Sequence, residues 1–162
     1  MKNSIIKLIA GSYENTDAYE GVLTYVISKD YVGGYSLNFP LERDSVISQF
    51  HSAEEYSSHF NSRMIWHFTV SIGDIRSHNK LLLLGAQIAS LFADKYQVIY
   101  SLDLKPGKYH LHFAVNAYSY ISCVEPLSDF YFMGYVSLIS EILHTHFPTY
   151  PVKFVDGNKG GN

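Results

Sequence analysis

The stretch Tyr96-Gln-Val-Ile-Tyr-Ser-Leu-Asp-Leu-Lys-Pro-Gly-Lys-Tyr-His-Leu-His-Phe-Ala-Val-Asn116 decides the fold. It holds two β-rich runs, residues 96–104 and 108–116, separated by Lys105-Pro106-Gly107. Proline presets a turn dihedral and glycine supplies the left-handed one, so the connection reads as a hairpin and the two strands as antiparallel neighbours. Side chains alternate faces along a strand. His110 and His112 therefore share one face, while Leu111 and Phe113 point to the other.

Working outward, residues 5–10 form a short apolar run suited to a strand. Residues 17–28 carry Ala18, Val22, Tyr25 and Val26 near helical spacing and predict a helix. Residues 30–40 contain Gly33-Gly34 and read as a loop or irregular hairpin. Ser52-Ala-Glu-Glu55 has the form of a capping box, which predicts a helix from there to about residue 61. Residues 64–72 are β-rich and are broken by Gly73-Asp74. Residues 81–93 predict a helix with Leu81, Leu84, Ile88, Leu91 and Phe92 on one face. Residues 127–146 predict a long helix, with Ser128 able to cap it and Pro148 ending it, and residues 150–155 a last strand. The expected class is α+β: a two-layer sandwich, with a central antiparallel sheet and helices packed on it. Residues 1–156 are expected to form one domain, followed by a flexible tail, 157–162.

The chain of 162 residues is 47% hydrophobic and 17% charged, enough apolar material for one core. Its net charge is -3 with 12 Lys and Arg, so no general basic excess advertises nucleic acid, although a local patch remains open. The single cysteine, Cys123, excludes an intrachain disulfide and a cysteine-based zinc site. A reducing, cytoplasmic setting is expected. The apolar run at residues 5–10 is too short for a signal-peptide core or a membrane span, so no membrane partner is expected.

Eight histidines and 14 tyrosines stand out. Two imidazoles separated by two strand residues lie about 6 to 7 Å apart and can approach one divalent ion. A lone His-x-His is also met as two unrelated histidines on a half-buried strand. The surroundings strengthen the ligand reading. Asp103 lies across the turn from His110 at the end of an otherwise apolar strand, where a carboxylate calls for a partner. His67 sits in the middle of Ile65-Trp-His-Phe-Thr-Val70, where it is a further possible ligand or a histidine hydrogen-bonded in the core. His144 and His146 suit the carbonyls of a helix end. His51, His59 and His78 have polar neighbours.

Four blocks in this order resemble the relaxase, or mobilization-nuclease, family of plasmid conjugation, a branch of the His–hydrophobic–His (HUH) endonucleases. Gly21-Val-Leu-Thr-Tyr25-Val-Ile-Ser-Lys29 resembles the family's early tyrosine block. Trp66-His67-Phe68-Thr69-Val70-Ser71 resembles its His-Phe-x-x-Ser strand. Residues 86–98 resemble the helix and strand that follow, and Tyr109-His110-Leu-His112-Phe-Ala-Val-Asn116 the metal-binding strand. The match covers about residues 5–155. The resemblance implies metal-dependent nicking and transfer of single-stranded DNA through a tyrosine that becomes linked to the 5′ phosphate. It implies Tyr25 as nucleophile and His110 and His112 as ligands of Mn, Mg or Zn, with Asp103 and His67 as possible further ligands. Asn116 and Ser71 would position these groups. Lys105 and Lys108, beside the metal strand, would contact the DNA backbone. Single-stranded DNA and accessory mobilization proteins are the implied partners.

The chain departs from the family at Ser101, where a further histidine stands two residues before the aspartate. A hydroxyl is a poor substitute for imidazole at a transition metal. This leaves two alternatives: a catalytically degenerate member that binds DNA or a partner, and an unrelated α+β metalloprotein. Tyr31, Tyr35, Tyr131 and Tyr135 are further tyrosines near matched blocks. The last two are spaced as a core-facing helical stripe.

Overall fold

The computed structural model describes residues 2–159 except 12, 16, 62 and 108. Its elements run β1 (Ser4–Leu8), α1 (Asp17–Ile27), β2 (Tyr31–Tyr35), α2 (Arg43–Tyr56), β3 (Ile65–Ile72), α3 (His78–Ser90), β4 (Val98–Asp103), β5 (His110–Asn116), α4 (Asp129–His146) and β6 (Val152–Asp156). The strands form one sheet in the order β2-β4-β5-β3-β1-β6. The hairpin predicted from Lys105-Pro106-Gly107 is present: β4 and β5 pair antiparallel from Val98↔Val115 to Asp103↔His110, and Gly107 takes φ 84°. β5 is an interior strand, flanked by β4 and β3.

Alternation along β5 divides the core. Leu111, Phe113 and Val115 enter the larger cluster, with Phe68 of β3, Leu81, Leu84 and Ile88 of α3, and Phe132, Val136 and Ile139 of α4. Phe68 stacks on Phe113 at 4.8 Å and Trp66 on Phe132 at 4.1 Å. Truncating a fully buried ring such as Phe113 costs about 3–5 kcal/mol. On the reverse face, Ala114 joins Ile65 and Ile99 beneath Tyr19, Leu23 and Val26 of α1 and Val46, Ile47 and Phe50 of α2. The class is α+β. Sheet and helices form the expected layers through α3 and α4, and α1 and α2 cover part of the other face.

Three elements differ from expectation. Residues 31–35, read as loop, are an edge strand antiparallel to β4. The glycines that suggested a loop are needed for the pairing. A Cβ on Gly33 would come within 2.5 Å of the Tyr100 ring, and one on Gly34 within 2.9 Å of the Val98 carbonyl oxygen. The second helix begins at Arg43 rather than at the Ser52 capping box, and Ser52 Oγ instead donates to the Ser48 carbonyl within the helix. Val46, Ile47, Phe50 and Ala53 bury the stripe of that helix. Each large apolar side chain so buried is worth roughly 1.5–3 kcal/mol, against about 1 kcal/mol for a cap. Finally, β6 pairs parallel to β1, so the sheet is mixed.

The other signals hold with shifted ends. Ser128 Oγ accepts from the Tyr131 amide at the start of α4. Ser77 caps α3 through the Lys80 amide, and Leu91 and Phe92 lie just past its end. In the expected tail, Gly157 donates to the Leu8 carbonyl, while residues 160–162 lie outside the described residues. No helix among the described residues is long and apolar enough to cross a membrane.

Candidate functional site

Directly paired residues of antiparallel strands point to the same face. On the α1 face, Ser101 lies opposite His112 and Asp103 opposite His110, while Thr69 of β3 pairs with His112 on the other side. By alternation His67 and Ser71 join that face. A polar stripe therefore crosses the three central strands where the cover of α1 ends.

α1 brings Tyr25 to this stripe. Its buried positions are Ala18, Tyr19, Val22, Leu23 and Val26, one helical stripe pressed on the sheet. Tyr25 stands on the shoulder of that stripe and is 46% exposed, so its ring reaches the sheet edge-on with its remainder open to solvent. The ring lies 5.3 Å from the His112 ring at an interplanar angle of 80°, and 5.7 Å from the His67 ring. Tyr25, His67 and His112 line one open cavity of about 620 Å³, together with Tyr13, Asn15 and Gly21.

The histidines are buried. His67 Nε2 approaches His112 Nδ1 at 3.5 Å. His112 Nε2 faces Asp103 Oδ2 at 3.7 Å, longer than a hydrogen bond, and has no hydrogen-bond partner among the described residues. Burial pushes the His67 imidazole down to about 4, helped by His112 and then Lys29. Burial also pushes His112 down to about 4, with Lys29 acting in the same direction and Asp103 against it. Both rings are thus neutral at pH 7, so the His112–Asp103 contact is polar rather than ionic. Lys29, at the C-terminal end of α1, places Nζ 4.0 Å above the Tyr25 ring and 3.6 Å from Asp103 Oδ2.

The His110–His112 pair shares a face, but its two rings do different things. Their centroids are 6.2 Å apart. His112 lines the Tyr25 cavity. His110 lines a separate one of about 660 Å³ with Thr69, Ser71, Lys7, Asp74 and Tyr109. Imidazole nitrogens of His67 and His112, on adjacent strands, approach each other to 3.5 Å. Their 3.5 Å separation suits two ligands of one ion, yet among the described residues no group of three or more His, Cys, Asp or Glu side chains is placed to hold a metal. Ser101, whose buried Oγ has no hydrogen-bond partner among the described residues, occupies the sheet position beside His112. A complete ligand set for Mn, Mg or Zn is therefore not assembled by these residues.

Asn116 does not touch the histidines. Its Oδ1 accepts from Tyr19 Oη at 3.0 Å and from the Tyr118 amide, and its Nδ2 donates to the Phe50 carbonyl and to Gln97 Oε1. It ties α1 and α2 to the sheet. Ser71 lies in the His110 cavity. Lys105 is exposed beyond Asp103, whose Oδ1 accepts from the Lys105 amide; Lys108 lies outside the described residues. Tyr131 and Tyr135 are on α4, across the sheet from the histidines. Tyr135 stacks on Phe92 at 4.3 Å, as the core-facing stripe expects, whereas Tyr131 is exposed and donates to Glu125. Tyr35 stacks on Tyr100, and Tyr31 lies against His78. His146 Nε2 contacts Gln87 Oε1 at 2.8 Å. Of the tyrosines singled out from sequence, Tyr25 is the one beside the histidine pair.

Comparison with protein-family models, with curated proteins and with solved structures finds no match.

Proposed function

We propose that this domain is a relaxase-like enzyme that cleaves and transfers single-stranded DNA, with Tyr25 as nucleophile. The observation that carries the reading is the placement of Tyr25 against His112 and His67 in one open cavity. A helix and two strands distant in sequence converge to build it.

The chemistry is a phosphoryl exchange. The phenol oxygen of Tyr25 forms a bond to phosphorus, and the P–O3′ bond breaks with its electron pair going to O3′. The phenolic proton passes to a neutral imidazole of the His67–His112 pair, which returns it to O3′ as the hydroxyl leaves. The 5′ phosphate stays on Tyr25, so the exchange runs backwards to rejoin a strand. Aromatic walls from Tyr13 and Tyr25 suit stacked bases.

The second reading is a degenerate member that binds single-stranded DNA without cutting it. Serine at position 101 and the lack of three convergent ligating groups among the described residues favour it. Incubation with a pool of single-stranded oligonucleotides, with and without Mn²⁺, followed by a denaturing gel separates the two. A covalent adduct that disappears with Tyr25→Phe supports cleavage. Binding without any adduct supports the degenerate reading. Accessory mobilization proteins and a cytoplasmic setting belong to the proposal as its biological context.

A further inference from the structure

A site that holds a phosphodiester needs positive charge where the scissile phosphate sits. The three-ligand metal set is not assembled among the described residues. Among the described residues, Lys29 is a cation in contact with Tyr25 and Asp103. Its Nζ stands over the Tyr25 ring at 4.0 Å, so a phosphorus attached to Tyr25 Oη comes within reach of the same ammonium by a small rotamer change.

Lys29 is not fully committed elsewhere. Its Asp103 contact, at 3.6 Å, is longer than a hydrogen bond, and both side chains keep 18% exposure. Its three N–H donors meet no hydrogen-bond acceptor among the described residues. Asp103 in turn faces His112, so the ammonium is held at the junction of nucleophile, carboxylate and imidazole. The backbone beside it is fixed: the Asp30 amide donates to the Leu102 carbonyl, and Asp30 Oδ2 accepts from the Leu104 amide, pinning this end of α1 to β4.

We propose that Lys29 is the phosphate-holding cation of this site, standing over Tyr25, and that the phosphoryl exchange proceeds without a divalent ion. The proposal rests on the Tyr25 reading above. The alternative is a Lys29–Asp103 ion pair that serves the fold and not the chemistry.

The test compares wild-type protein, Lys29→Met and Lys29→Arg, each stripped with EDTA, on a fluorescent single-stranded oligonucleotide pool. Adduct is read on a denaturing gel and affinity by anisotropy across a salt series. The expected result is full wild-type adduct in EDTA, about 100-fold slower formation by Lys29→Met, and partial recovery by Lys29→Arg. The salt slope of binding falls by about 0.7 in Lys29→Met, the contribution of one phosphate contact on a single strand. Thermal melts certify that each variant is folded. Adduct that requires Mn²⁺ or Zn²⁺, or that forms at the wild-type rate in Lys29→Met, overturns the proposal. If wild type forms no adduct under any condition, the Tyr25 reading fails and Lys29 is judged by binding in EDTA alone. An affinity loss near tenfold with the reduced salt slope then supports its phosphate contact, and unchanged binding overturns it.

Discussion

The Tyr25 ring meets the His112 imidazole edge-on, 5.3 Å between centroids and 80° between planes, although the two residues come from an exposed helix shoulder and a buried central strand. The contact uses the ring and leaves the hydroxyl outside the packing. Tyr25→Phe is therefore expected to leave stability within about 0.5 kcal/mol of wild type by chemical denaturation, while removing covalent attachment to DNA. A large loss of stability would mean that the hydroxyl is structural.

Acid should destabilise the fold through the buried histidines. His67 takes up a proton near pH 6.5 when unfolded and only near pH 4 when folded. As pH falls between these values the unfolded chain binds the proton first, so folding weakens across that window. It is unaffected above it and changes no further below. The full loss is roughly 3 kcal/mol for His67, and His112 acts in the same sense. Urea midpoints are expected to be equal at pH 7 and 8 and clearly lower at pH 5. Midpoints that are the same at pH 7 and 5 would show that the histidines are accessible to protons in the folded protein.

Asn116→Ala should act on stability before anything else. It removes a fully buried amide and leaves the Tyr19 hydroxyl, Gln97 Oε1 and the Phe50 carbonyl without that partner. A loss of about 2–4 kcal/mol is expected, read as a lower melting temperature with α1 and α2 loosened in hydrogen exchange. If instead stability holds and only DNA chemistry suffers, Asn116 belongs to the site.

Two glycines give opposite predictions. Gly33→Val drives a side chain into the Tyr100 ring and should cost about 1–3 kcal/mol by displacing β2. Gly134→Ala, in α4 with nothing within 4 Å of its new methyl, should stabilise the protein by up to about 1 kcal/mol. Thermal melts of the two variants check both signs.

Much of this architecture is written locally. The Lys105-Pro106-Gly107 turn, the alternation in β5 and the apolar stripes of α1, α3 and α4 each specify their own geometry. The parts that are not local were missed. β2 carries glycines because Tyr100 and the Val98 backbone lie against it, which only the folded sheet reveals. The start of α2 is set by packing of Val46, Ile47 and Phe50 and outweighs the capping signal at Ser52. The site follows the same rule. Tyr25, His67, His112 and Asp103 could be nominated from patterns, but the closeness of His67 to His112 comes from strand order. In the sequence Lys29 is simply the last residue of the block that carries Tyr25. Its position over Tyr25 depends on where the last turn of α1 docks on β4, which no residue spacing announces. Asn116, nominated for the site, is used by the core, because four residues along β5 carry it from the edge of α1 to beneath it.

The most direct test of the account is mass mapping of the protein after incubation with single-stranded oligonucleotides. The expected result is a nucleotide mass on the peptide that contains Tyr25, lost in Tyr25→Phe. A nucleotide mass on Tyr131 or Tyr135, or none on any peptide while DNA binding persists, would contradict it.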